Sequence, residues 1–148
     1  MEETARSALA AMGIGRTLDP RAAVERLSGG ERQAIAICRA RYWGARLVIL
    51  DEPTSALSLR QTEDVLGYVE QARSQGLGII YITHTLEHVK RIADRIAILY
   101  KGSLAAEGPL SSFTDLSCYR LITTGTAVGS TACPTVKDSL PTVDLALL

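Results

Sequence analysis

An α/β fold built on a parallel sheet is the class this sequence predicts, and three observations predict it. Leu47-Val48-Ile49-Leu50 is apolar at every position, without polar alternation, as expected of a strand covered on both faces. Ile79-Ile80-Tyr81-Ile82-Thr83 has the same character. Between and after these runs lie stretches with helical spacing, so strand and helix alternate along the chain.

The elements follow in order. From Glu2 to Met12 the apolar residues Ala5, Ala8, Leu9 and Met12 recur at helical intervals, and Gly13 and Gly15 stand where a C-terminal cap belongs. After a loop containing Asp19-Pro20, Ser28-Gly29-Gly30-Glu31 has the form of a capping box, with Glu31 reaching back to Ser28. The helix it opens is expected over Gly29–Tyr42. The first strand stops at Asp51-Glu52-Pro53. Val65, Leu66 and Val69 mark a helix over Leu59–Ser74, ended by Gly76 and Gly78. The second strand leads to His84, a helix over Leu86–Ala93 and a third strand over Ile96–Tyr100. Lys101-Gly102 offers a tight turn into Ser103–Glu107, which pairs back as a hairpin before Gly108-Pro109 breaks it.

Residues 1–110 are thus expected to form one α/β unit, and residues 111–148 a divergent, loosely ordered tail. Beyond Tyr119, Thr and Ser are interspersed with Gly, Pro and small residues, and periodicity fades. The apolar end Val143–Leu148 is expected to dock on the folded part.

Composition narrows the function. The 148 residues carry 16 Lys+Arg against 16 Asp+Glu, so a strongly basic nucleic-acid surface is not expected. With 47% hydrophobic and 22% charged residues the chain is an ordinary globular one. Its apolar runs fall far short of the roughly 18 residues that a membrane span needs. Glu2 and Glu3 directly after Met1 are the wrong start for a signal peptide, which predicts a cytoplasmic protein. Cys38, Cys118 and Cys133 are odd in number and far apart, and are read as isolated thiols.

Three places concentrate chemistry. At Leu27–Gln33 two glycines just inside a helix N-terminus remove side chains from the surface, so backbone N–H groups and the helix dipole can approach a phosphate. Ser28 adds a hydroxyl; a plain helix cap is the competing reading. Asp51 and Glu52 stand at the C-terminal end of a strand, the edge where open α/β sheets bind ligands. There Asp51 suits the shell of a Mg²⁺ nucleotide and Glu52 a water to be activated; a solvated turn is the alternative. His84 follows the second strand at the same edge, if the strands run parallel, and can contact a terminal phosphate. The His84/His88 pair lacks the Glu of H-E-x-x-H and a third ligand, so zinc is not expected.

Taken together, Leu27–Gln33 (LSGGERQ), Leu47–Leu57 (LVILDEPTSAL) and Ile82-Thr83-His84, in this order and at these separations, resemble the C-terminal half of an ABC-transporter ATPase domain. The resemblance covers roughly Thr4 to Glu107 and implies a P-loop NTPase-like sheet. It implies that Ser28, Gly29, Gly30 and Gln33 belong to the signature that contacts ATP across a dimer. Asp51 is then the magnesium aspartate, Glu52 the catalytic glutamate, Ser55, Ala56, Leu57 and Ser58 the D-loop, and His84 the switch histidine. The implied cofactors are ATP and Mg²⁺. The implied partners are a second ABC ATPase domain and a membrane permease, with the protein peripheral at the cytoplasmic face of the membrane and bound to no nucleic acid.

The sequence departs from the family in two ways. Ser58 stands where Asp is usual, and no G-x-x-x-x-G-K-[ST] loop or Q-loop occurs, so the sheet is expected to be incomplete at its N-terminal side. This is the pattern of a truncated reading frame, a fragment or one half of a split protein, with the isolated chain expected to be inactive. Glu31–Ile37, Trp43–Arg46 and Gly76–Ile80 look most like ATPases of carbohydrate importers. The expected function is ATP hydrolysis coupled to import of a substrate, read as a sugar. The alternative is a non-catalytic half-domain that only donates its signature.

Overall fold

The computed structural model describes residues 2–11, 19, 21–126 and 144–147. Two compact units emerge, one of Met1–Val48 and Pro53–Gly78, the other of Ile49–Glu52 and Ile79–Leu148.

The first unit is helical. Helix α1 covers Glu2–Ala11, and Glu2 ties it to the following loop, accepting from Arg6 at 3.0 Å and from Arg21 at 2.7 Å. Those two guanidiniums hold the Glu2 carboxyl below its ordinary range. After a 3-10 turn at Val24–Arg26, helix α2 runs over Gly29–Tyr42 and helix α3 over Leu59–Ser74, both as their sequence limits predict. Ala34, Ile37 and Cys38 of α2 and Val65, Leu66, Val69 and Ala72 of α3 are buried and supply this unit's core. Burial pushes the Cys38 thiol up to about 11. The α2 helix is capped at its C-terminus by Trp43, which is 77% exposed and meets Tyr42 edge-on at 5.9 Å.

The second unit holds most of the sheet. Strands β1 (Leu47–Asp51), β2 (Gly78–Ile82), β3 (Arg95–Tyr100), β4 (Ser103–Pro109) and β5 (Asp144–Leu147) lie in the order β1-β2-β5-β3-β4. The Glu52 N–H donates to the Ile82 carbonyl at 2.9 Å, which sets the C-terminal ends of β1 and β2 side by side. Strand β5 is parallel to both its neighbours, and β3–β4 is an antiparallel hairpin. Lys101 (φ 48°) and Gly102 (φ 77°) form its two-residue turn, the mirror-image type that suits strand twist. Opposite Ile98/Leu99 the pairing jumps from Ala106 to Leu104, so Ala105 is a bulge.

Helices α4 (Leu86–Ile92) and α5 (Asp115–Thr124) pack here, with Val89, Ile96, Ile98, Ala106, Cys118 and Leu121 buried in one cluster. Cys38 and Cys118 are buried thiols that form no disulfide, and Cys133 lies outside the described residues. No helix among the described residues is long and apolar enough to cross a membrane.

Three expectations require correction. Strand β1 is not covered on both faces: it is the sheet's edge strand, and Leu47 and Ile49 are exposed. An unbroken apolar run reports strand propensity, whereas cover depends on what else packs there. Residues 111–148 are not loosely ordered throughout. Thr114 and Ser117 make a capping box and Gly125 adopts the left-handed cap conformation at φ 71°, so a helix forms where Ser and Thr suggested none. Gly108-Pro109 does not stop the hairpin early, because Pro109 occupies the last position of β4, where a missing N–H costs little. Of the tail expected to dock, Asp144–Leu147 forms β5, while Val143 and Leu148 lie outside the described residues.

Candidate functional site

One candidate segment, in the first unit, is the start of α2. The Ser28 hydroxyl accepts from the Glu31 N–H at 3.3 Å, and the Glu31 carboxylate accepts from the Ser28 N–H at 2.7 Å. Arg32 donates to the Leu27 carbonyl and holds the residue that precedes the cap. The reciprocal box uses the N–H groups of Ser28 and Glu31, so those of Gly29 and Gly30 lie outside it.

Both glycines lie close to neighbouring groups. A Cβ on Gly29 would displace a Leu57 methyl, the movable end of a flexible side chain, and one on Gly30 would stand in ordinary contact, 3.4 Å from the Gln61 carbonyl of α3. Gly30 is buried, whereas Ser28, Gly29 and Gln33 are half-buried. The helix cap read from Ser28 and Glu31 is formed.

The segment Ser55-Ala56-Leu57-Ser58 is a turn leading into α3, with Leu57 half-buried beside Gly29 and the other three exposed. Ser58 is the N-cap of α3, exchanging bonds with Gln61: its N–H donates at 2.9 Å and its hydroxyl accepts from the Gln61 N–H at 3.4 Å. Serine at this departure from the family pattern thus has a local structural use.

A separate candidate segment, in the second unit, lies at the C-terminal edge of β1 and β2. Glu52 accepts at Oε1 from His84 twice, from the ring Nδ1 at 2.6 Å and from the backbone N–H at 3.1 Å. With Nδ1–H directed at the carboxylate, the ring Nε2 remains for another partner. The His84 side chain is 79% exposed and that of Glu52 34%, so a ligand can reach both.

Glu52 has φ 43°, a left-handed conformation that costs a non-glycine residue on the order of 1–3 kcal/mol. Its N–H bond to Ile82 and its side-chain bond to His84 hold it there. Asp51, at the end of β1, is exposed. Among the described residues no group of three His, Cys, Asp or Glu side chains is placed to hold a metal ion. One exposed carboxylate does fit a Mg²⁺ that arrives with water and phosphate oxygens in its shell.

Thr83 was not marked as a site residue, yet it shapes the turn that carries His84. It is buried, and its hydroxyl accepts from the Thr85 N–H at 3.1 Å. The Thr-His-Thr sequence, with a hydroxyl two residues before an N–H donor, is the signal that identifies such a turn. A separate recess of about 410 Å³, lined by Leu86, Lys90, Phe113, Asp115 and Cys118 among others, contains none of the predicted site residues.

The fold is a P-loop NTPase-like α/β fold of the ABC cassette type, as the solved structures below show. Comparison with known proteins agrees. The ABC transporter family matches residues 1–55. A ribose import ATP-binding protein of Rubrobacter xylanophilus is 42% identical over 122 residues, covering 82% of this chain and 23% of that protein. A fructose import ATP-binding protein of Rhizobium meliloti is 43% identical over 98 residues, 66% of this chain and 38% of its own length. A molybdenum import ATP-binding protein of Thiobacillus denitrificans is 41% identical over 100 residues, 67% of this chain and 27% of that protein. The chain therefore spans less than two fifths of the length of each of these relatives.

Among solved structures, an ABC transporter in an inward-facing conformation matches with a TM-score of 0.69 at 31% identity, covering 81% of this chain and 47% of the other. The ADP conformation of MJ1267, an ATP-binding cassette of an ABC transporter, matches with a TM-score of 0.63 at 22% identity, covering 82% and 46%. The chain is thus similar to ATP-binding proteins of ABC transporters, and it spans less than half the length of each protein named here.

Proposed function

We propose that this chain supplies the signature, the magnesium aspartate and the water-activating glutamate of an ATP hydrolase that drives an ABC importer. The observation that carries the reading is the Glu52–His84 pair at the C-terminal ends of β1 and β2, 2.6 Å apart and open to solvent.

In this reading a Mg²⁺ nucleotide, when bound, supplies the phosphorus to be attacked. Glu52 orients a water and accepts its proton, and His84 fixes the carboxylate through Oε1 while its Nε2 contacts the terminal phosphate. Asp51 holds the ion through its water shell. Ser28, Gly29, Gly30 and Gln33 close over a nucleotide held by a second ABC ATPase domain, where the helix dipole and the two glycine N–H groups favour negative charge.

The partners are that second domain and a membrane permease, at the cytoplasmic face of the membrane. The substrate class is a sugar, supported by the ribose and fructose importers among the relatives; the molybdenum importer makes an oxyanion the competing cargo. A second reading is a non-catalytic module that donates its signature to a complete partner.

The test is to capture the native complex through an internal peptide, identify its members and measure phosphate release from Mg-ATP with and without Glu52→Gln. A captured permease and turnover lost with Glu52→Gln are expected. Turnover that survives the substitution overturns Glu52 as the base and leaves the signature-donor reading.

A further inference from the structure

Between the end of β2 at Ile82 and the start of α4 at Leu86 lie Thr83, His84 and Thr85. All belong to the second unit, as does Glu52, so their contacts lie within one body. Glu52 holds the chain on both sides of Thr83: its N–H donates to the Ile82 carbonyl at 2.9 Å, and its Oε1 accepts from the His84 N–H at 3.1 Å. The Thr83 side chain is buried, whereas that of His84 is 79% exposed.

The Thr83 hydroxyl accepts from the Thr85 N–H at 3.1 Å and so ties the end of β2 to the residue that caps α4. Thr85 gives that helix no side-chain cap, but its carbonyl accepts the His88 N–H at 3.2 Å. His84 is the residue enclosed by this short threonine turn, so the turn restrains its backbone. In water the neutral imidazole of histidine favours its proton on Nε2. A strong acceptor at Nδ1 reverses that preference, because the bond made by one ring nitrogen decides the state of the other. Glu52 Oε1, 2.6 Å from Nδ1, is such an acceptor only while the turn keeps the ring aimed at it.

We propose that Thr83 is a positioning residue for this pair: through the Thr85 N–H, its hydroxyl fixes the turn that aims Nδ1 of His84 at Glu52. The consequence for hydrolysis rests on the proposed role of Glu52 as the base, whereas the aim of the ring does not. Without the hydroxyl the turn loosens, and an exposed ring on a loose turn returns to its ordinary tautomer.

Ring-nitrogen NMR on the full chain tests this, at a pH where the His84 ring is neutral and with the His84→Ala spectrum to assign its signal. In the parent chain the Nδ1–H form is expected to predominate; a predominant Nε2–H form overturns the proposal without any variant. Thr83→Val keeps the side chain's volume and removes the acceptor, and Thr83→Ala also lacks it; in both, the Nε2–H form is expected to become the major one. Thr83→Ser keeps the hydroxyl and is expected to keep the parent tautomer. An unchanged tautomer in either hydroxyl-free variant that folds, or a switched one in Thr83→Ser, overturns the positioning role. So does loss of the fold, read by circular dichroism, in both hydroxyl-free variants, which would make Thr83 a residue of the core alone. In a complex with a complete cassette, phosphate release is expected to fall about tenfold or more in Thr83→Val and to recover in Thr83→Ser. A switched tautomer with undiminished turnover upholds the positioning role and overturns Glu52 and His84 as the hydrolytic pair.

Discussion

One carboxylate oxygen, Oε1 of Glu52, receives two bonds from a single residue, His84: one from its ring and one from its backbone N–H. The pair is thus fixed by the end of β2 as much as by the side chains. Replacing Glu52 by Gln keeps the shape and an acceptor but removes the base. In a complex with a complete cassette, phosphate release is expected to fall by about a hundredfold or more, the usual weight of a positioned base, with nucleotide binding retained. Phosphate release beside a nucleotide-binding titration separates the two effects.

Loss of the ring is a different perturbation. In His84→Ala the backbone N–H bond to Glu52 persists, so the carboxylate loses one of two restraints and turnover is expected to drop less than in Glu52→Gln. Because the residues share a bond, the double variant is expected to be no worse than Glu52→Gln alone. Additive losses in phosphate release would mean that the two side chains act separately.

The two capping serines are expected to matter for stability. Ser28→Ala and Ser58→Ala each remove a side-chain acceptor at a helix start, and about 1 kcal/mol of unfolding free energy is expected to be lost at each site. Ser58→Asp keeps a good cap and restores the residue usual in the family, so its stability is expected to match the parent chain. Denaturant titration followed by circular dichroism reads all three.

Much of this architecture was legible because its signals are local. Ser28 and Glu31 mark the start of α2, and Gly76 and Gly78 follow α3; such caps act within a few residues. The placement of Asp51, Glu52 and His84 at strand ends needed only strand direction. What escaped depended on distant groups. Whether Ile49 is covered is decided by neighbours of the sheet. Glu52's positive φ follows from its bonds to Ile82 and His84, 30 and more residues away in sequence. Helix α5 escaped for another reason: a Thr114/Ser117 box and Gly125 look like loop composition until an apolar face, Cys118 and Leu121, is set against β3.

Burial of the sheet predicts an asymmetry between its strands. Ile98 is fully buried, and Ile98→Ala is expected to cost about 2–5 kcal/mol. Ile49 is 61% exposed at the edge, and Ile49→Thr, which retains a β-branched side chain, is expected to stay within about 0.5 kcal/mol. Urea unfolding midpoints at constant slope provide the comparison.

Cys38 links stability to alkaline pH. Burial raises its thiol from 9.0 to about 11 in the folded chain, so the folded state favours the protonated form. Its contribution is fully present below pH 9 and is lost as pH rises from about 9 through 11. Unfolding free energy is expected to decline across that window, and Cys38→Ala to flatten the decline. Denaturant titrations at pH 8, 9.5 and 11 measure it.

Trp43 is the sequence's single tryptophan, and it stands outside the core at the end of α2. Its indole is already wet in the native chain, so its emission carries little information about unfolding. The same position makes it an intrinsic fluorescent reporter for whatever covers that end of the helix. A blue shift on mixing with a candidate partner would register docking there, with no label attached.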